Sequence, residues 1–143
     1  MVKDSYIYPA VFDPCEEGGY CITFPDLPGI VTEGDTVEEA FAMAKEALEL
    51  HLWGMEDDND PVPEPTPPNN IEIPAGGFVS LIEGVMPPIR DKMANKAVNK
   101  TVTVPKWLND LGERRRVNFS HILQEALKSY LGIRDYHEAK KQP

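Results

Sequence analysis

Within residues 99–104, Asn-Lys-Thr-Val-Thr-Val, two threonines and two valines alternate up to Pro105. Period-two alternation is the pattern of a strand, and a proline suits the first turn of a helix, where its missing N–H costs nothing. The residues that follow have the helical period. Trp107, Leu108 and Leu111 make one apolar stripe, and Ile122, Leu123, Ala126, Leu127, Tyr130 and Leu131 make a longer one that stops at Gly132. The order is strand, helix, the connector Gly-Glu-Arg-Arg-Arg-Val (112–117), helix. A lone strand cannot satisfy its own backbone groups, and a unit of roughly 35 residues is too small to bury a core by itself. The economical solution is two copies. Their strands pair antiparallel about a two-fold axis, Val102 and Val104 turn toward four helices, and Asn99, Thr101 and Thr103 turn outward. A two-stranded ribbon carrying short polar side chains fits the major groove of DNA.

The run "NKTVTVPKWLNDL…VNFSHILQEALKSYL" resembles a ribbon-helix-helix DNA-binding domain. The resemblance implies that Asn99, Thr101 and Thr103 read bases. It also implies that the N-terminus of the second helix holds a phosphate, with Asn118 as its cap and the amides of Phe119 and Ser120 as donors. Lys100, Lys106, Arg114, Arg115 and Arg116 would supply positive charge near the DNA backbone. The family often places a basic residue among the outward strand positions, whereas this ribbon offers only threonine and asparagine there.

The rest of the chain has the opposite charge. Residues 1–90 hold 3 Lys+Arg against 18 Asp+Glu, a formal −15, while residues 91–143 hold 11 against 6, a formal +5. Such asymmetry points to two partners of opposite charge. The front half reads as a small α+β domain: strands over 5–12, 20–24, 30–34 and 78–85, and one helix before the last of them. That helix opens on a capping box, Thr36 with Glu39. Val37, Ala40, Phe41, Ala44, Ala47, Leu48, His51 and Leu52 form its apolar face, and Gly54 is its expected stop. Five prolines between Pro61 and Pro68 make an extended loop. The expected organisation is an α+β domain over 1–86, a linker over 87–98 in which Ile89, Met93 and Ala97 permit a short helix, and a ribbon-helix-helix domain over 99–143.

Cys15 and Cys21 bracket Glu-Glu-Gly-Gly-Tyr and can face each other across a hairpin. A disulfide or half a metal site suits that spacing, but no further Cys or His lies near. In a reducing compartment free thiols are expected. No run of 18 apolar residues and no signal-peptide pattern is visible, so the expected location is the cytoplasm.

The run "FPDLPGIVTEGDTVEEAFAMAKEAL" (24–48), the loop "PVPEPTPPN" and the strand "FVSLIEGV" resemble the N-terminal domain of HicB-type antitoxins. With the ribbon-helix-helix segment the likeness spans about residues 5–133. It implies a partial RNase H-like fold, a homodimer that represses its own operon at operator DNA, and a small basic HicA-type toxin as partner. That toxin cleaves mRNA with a catalytic histidine. An acidic domain would attract such a cationic partner and compete with RNA for its surface. Candidate contacts are Asp13, Glu16, Glu17, Glu33 and Asp35, with Tyr20 or Phe24 as anchors. No cofactor, metal or enzymatic activity is expected. RNase H chemistry needs converging carboxylates, and no spacing forces Glu33, Asp35 and Glu83 together. A ligand-responsive ribbon-helix-helix repressor is the alternative.

Overall fold

Aromatic and β-branched residues at alternate positions build strand β1 (Ser5–Pro14) of the computed structural model, which describes residues 3–133. Strand β1 pairs antiparallel with β2 (Tyr20–Phe24) on one side and with β4 (Phe78–Val85) on the other. Strand β2 in turn pairs with β3 (Leu27–Gly34), which gives the sheet order β3-β2-β1-β4. Strands β2 and β4 have the bounds that the alternation suggests. Strand β3 starts earlier than Ile30, because a register irregularity at Thr23/Phe24 lets Leu27 pair with Phe24.

One face of the sheet packs on helix α1 (Val37–Asp57). Tyr8, Ala10, Phe12, Ile22, Phe24, Leu27, Ile30 and Ile82 from the strands meet Ala40, Ala44, Leu48 and Leu52 of the helix, all buried. The two alanines let the helix approach the sheet closely, and the leucines fill the space further along. Thr36 Oγ1 accepts from the Glu39 N–H at 3.1 Å. Glu39 Oε2 accepts in return from the Asp35 N–H at 3.3 Å, one residue before the position that a capping box uses. Gly34 is required here, since a Cβ would lie 2.6 Å from Ala40 Cα.

Helix α1 runs through Gly54 instead of stopping there. Its end is set by Asn59, which takes the left-handed conformation (φ 57°). The Asp60 N–H bonds to Met55 O at 2.8 Å and the Asn59 N–H to Glu56 O at 3.2 Å, the paired bonds of a Schellman motif. Trp53 and Met55, packed on the core, hold the extra turn in place. The proline-rich stretch then lies along the unit as a strap. The Tyr8 hydroxyl donates to Pro63 O, and Asp26 accepts from both the N–H (2.9 Å) and the hydroxyl (2.5 Å) of Thr66. Burial, with Tyr6, Asp26 and Glu64 nearby, pushes the Tyr8 phenol up to about 12.

The expected 87–98 linker is for most of its length helix α2 (Met86–Ala94). Pro87 and Pro88 sit in its first turn, where they cost no hydrogen bond, and Met86 is buried in the core. Arg90 then binds Glu56 at 3.0 and 2.8 Å, Asp4 at 2.8 Å and Lys3 O at 2.6 Å. The Glu56 carboxylate, followed by Asp4, holds the guanidinium more firmly charged than usual. Among the described residues, 3–97 form one compact unit and 98–133 a second.

The second unit holds helix α3 (Lys106–Arg114) and helix α4 (Phe119–Leu131). The strand expected over 99–104 has no ladder among the described residues. Arg116 takes a left-handed conformation (φ 54°) just past the α3 cap, and the Val117 N–H bonds to Gly112 O at 3.1 Å. Gly112 is held against Phe119, whose Cζ would lie 2.7 Å from an added Cβ. No helix among the described residues is long and apolar enough to cross a membrane.

Candidate functional site

In the first unit the acidic candidates gather at one end of the sheet. The ladder registers Asp13 opposite Cys21 and Cys21 opposite Glu33, so these three side chains form a row across β1, β2 and β3. They lie on the face away from α1, since Phe12 and Ile22 point into the core. Asp13, Glu16, Glu17, Glu33 and Asp35 are all exposed. Glu16 and Glu17 occupy the tight β1–β2 turn, which the Cys15 N–H to Gly19 O and Gly18 N–H to Cys15 O bonds close, each at 3.1 Å.

Tyr20 and Phe24 separate here. Tyr20 is half-buried, its ring edge-on to Phe12 (6.3 Å) and Phe78 (5.4 Å), so one side stays accessible. Phe24 is 1% exposed and belongs to the core. It therefore cannot anchor a partner on the surface. The period-two pattern already placed it on the face of Ile22, which is the helix-facing side. Glu33 and Glu83 sit on β3 and β4, the two edges of the sheet, about 14 Å apart across the strands and, because Glu33 lies in the row of Asp13 and Glu83 in that of Ile7, about 20 Å apart along them. They do not converge as two-metal catalysis would need.

The expectation of free thiols is overturned. Cys15 and Cys21 form a disulfide with Cα atoms 5.8 Å apart, and no described cysteine is free. The hairpin register and the glycine turn bring them within the range a disulfide requires. The carboxylate of Glu33 stands beside both sulfurs.

In the second unit the nominated nucleic-acid residues are all exposed. Asn118 Oδ1 accepts from the His121 N–H at 3.0 Å and so caps α4. Phe119 and Ser120 follow as the first helical residues, whose amides a helix does not use internally. Lys100, Val102 and Val104 line an apolar concavity of about 540 Å³ together with Leu108, Leu111, Val117, Phe119, Ile122 and Leu123. Thr101 and Thr103 are not among its lining residues. Lys100, expected to supply positive charge near the DNA backbone, shares the valine side of the alternation. Arg115 and Ser120 also border the concavity, while Arg114 and Arg116 do not. Nothing in α3 or α4 is buried: Leu108 is 45% exposed and Ile122 52%, and Val102 before α3 is 52% exposed.

Residues 8–126 match the sequence profile described as "HicB_like antitoxin of bacterial toxin-antitoxin system". Antitoxin HicB 1 of Photorhabdus laumondii is 47% identical over 60 residues, 42% of this chain and 39% of that protein. Antitoxin HicB of Escherichia coli K12 is 41% identical over 71 residues, 47% of this chain and 51% of that protein. The chain therefore spans about two-fifths to one-half of the length of these curated relatives. Among solved structures, a chain of a toxin–antitoxin complex from Streptococcus pneumoniae has the same fold, with TM-score 0.59 at 23% identity, over 88% of this chain and 99% of that one. With a matching profile across most of its length, the chain belongs to the family of HicB-like antitoxins of bacterial toxin–antitoxin systems.

Proposed function

We propose that this chain is the antitoxin of a type II toxin–antitoxin pair. Its first unit binds and neutralises a small basic HicA-type mRNA-cleaving toxin. Its second unit pairs with a second copy into a ribbon-helix-helix that binds operator DNA and represses the operon. The observation that carries this reading is the family match, which begins in β1 and ends in α4 and so includes both units.

Physical features of each unit support it. The exposed acids Asp13, Glu16, Glu17, Glu33 and Asp35, with the accessible side of Tyr20, suit a cationic protein that ordinarily holds RNA. In the second unit, an open concavity built from Val102, Val104 and two apolar stripes has no cover among the described residues. A second copy supplies one and gives the 99–104 segment its missing ladder. The paired strands then turn Asn99, Thr101 and Thr103 outward, and the capped end of α4 offers the Phe119 and Ser120 amides to a phosphate.

Two measurements test the two halves. The full chain is mixed with the small basic protein encoded beside it, and cleavage of a reporter RNA is followed. Stoichiometric loss of cleavage is expected, and undiminished cleavage sinks the antitoxin reading. A gel shift with the chain's own promoter is expected to show a complex that Thr101→Ala and Thr103→Ala each weaken by about 1–3 kcal/mol, the worth of a good base contact. Arg115→Ala is expected to weaken all DNA alike and to lower the salt slope by about 1.

A further inference from the structure

We propose that Cys15, Cys21 and Glu33 form a redox-gated binding site for a thiophilic divalent cation of the zinc class, closed as the disulfide and open as the dithiol. The proposal does not depend on the antitoxin reading. It starts from geometry: the two sulfurs and a Glu33 carboxylate oxygen all lie within 4.8 Å of one another. Zinc holds thiolate sulfur at about 2.3 Å and carboxylate oxygen at about 2.0–2.2 Å, so tetrahedral ligand atoms sit roughly 3.5–4 Å apart. Small side-chain rotations bring these three atoms to that spacing.

The scaffold that aims them does not rely on the S–S bond. Cys21 is fixed by its ladder partners on both sides. Cys15 is fixed by its two backbone bonds across the turn to Gly18 and Gly19. Both glycines have positive φ (101° and 75°), and a Cβ on Gly19 would collide with the backbone of Gly34. Reduction thus leaves two thiols facing each other beside a carboxylate. The neighbouring Asp13 adds negative charge next to Cys21. Three protein ligands leave a fourth position open for water or another donor. Two sulfur ligands select a zinc-like ion over calcium or magnesium, which require oxygen.

The chemistry balances with a dithiol as reductant. Its thiolate attacks one sulfur, the mixed disulfide resolves, and the reductant leaves as its own disulfide. Cys15 and Cys21 take up two electrons and two protons. Binding of the cation then releases the two thiol protons.

The test uses the full chain, reduced with a phosphine and handled under nitrogen, with cobalt(II) as the optical probe and zinc(II) as competitor. The expected result is one cobalt per chain, with a near-ultraviolet thiolate-to-metal band that zinc abolishes and that the disulfide form never shows. Cys21→Ser is expected to lose the band. Glu33→Gln, a change at an exposed position that keeps the fold by circular dichroism, is expected to weaken cobalt binding by at least about tenfold, the lower end of the effect of losing even an outer-shell partner of a metal. No band in the reduced chain, an equal band in the disulfide form, or unchanged affinity in Glu33→Gln overturns the proposal.

Discussion

The two units of this chain reach stability in different ways. In the first, a helix with a buried Ala-Ala-Leu-Leu row closes one face of a four-stranded sheet, and large aromatic side chains fill the space between them. In the second, two amphipathic helices leave every apolar residue at least partly in water. The difference shows what amphipathicity alone accomplishes. A stripe specifies which side of a helix must be covered, but a unit with too few residues cannot cover its own stripes. The first unit carries its complement within its own sequence, whereas the second leaves its apolar stripes exposed among the described residues.

The strongest way to break that comparison is to charge the uncovered concavity. Val102→Asp places a carboxylate where an apolar partner is expected, at a cost of several kcal/mol if that position becomes buried. Sedimentation of the full chain is expected to show loss of the dimer, and promoter binding is expected to vanish. Melting of the first unit is expected not to move. A dimer that survives Val102→Asp would mean that copies associate through another surface.

The mirror experiment is Leu48→Ala. Leu48 is fully buried between α1 and the sheet, and such a truncation costs about 2–5 kcal/mol. Because the units are separate, denaturation followed by Trp53 in α1 is expected to shift while dimerisation of the second unit persists. Equal weakening of both transitions would show that the units fold as one. A smaller effect is expected for Arg90→Ala, which leaves Glu56 without its bidentate partner, at about 1.5–3 kcal/mol for a charge-assisted bond. That change is expected to loosen α2 from α1, read as faster amide exchange over 86–94.

Legibility in the sequence followed the same division. Strands β2 and β4, the start of α1 and both helices of the second unit are visible because period and caps are local signals. The end of α1 was misplaced because a glycine stop was sought, while Asn59 supplies the left-handed residue. Helix α2 fills most of the expected linker: Ile89, Met93 and Ala97 only permit a helix, while the stronger signal is Pro87 and Pro88 in the first turn, which favours a helix start. Phe24 was nominated for a surface role despite sharing a face with Ile22. The covering of that face by α1 is a tertiary fact that alternation does not state. The disulfide was missed because compartment, not geometry, decided the expectation. The 99–104 segment shows the limit most clearly, since its strand pattern is plain in the sequence while a ladder requires a second strand.

The finest comparison is between the two helix ends whose left-handed residue is not glycine. At the end of α1 the left-handed residue is Asn59, among the side chains that tolerate this conformation best. At the end of α3 it is Arg116, a long side chain in the conformation that favours glycine. Relief of that strain makes Arg116→Gly stabilising by up to about 1 kcal/mol, offset in part by the greater freedom glycine gains in the unfolded chain. The same substitution removes one of three consecutive arginines beside the α4 cap. If Arg116 serves only the turn, Arg116→Gly is expected to raise the melting temperature with no change in DNA affinity. If it contacts the phosphate backbone, the melting temperature still rises but affinity falls for all sequences, with a salt slope smaller by about 1. Asn59→Gly, where no arginine is lost, is the control: a small change in stability and none in DNA binding is expected. The strain account fails if Arg116→Gly lowers stability, and a melting curve compared with that of Asn59→Gly decides it.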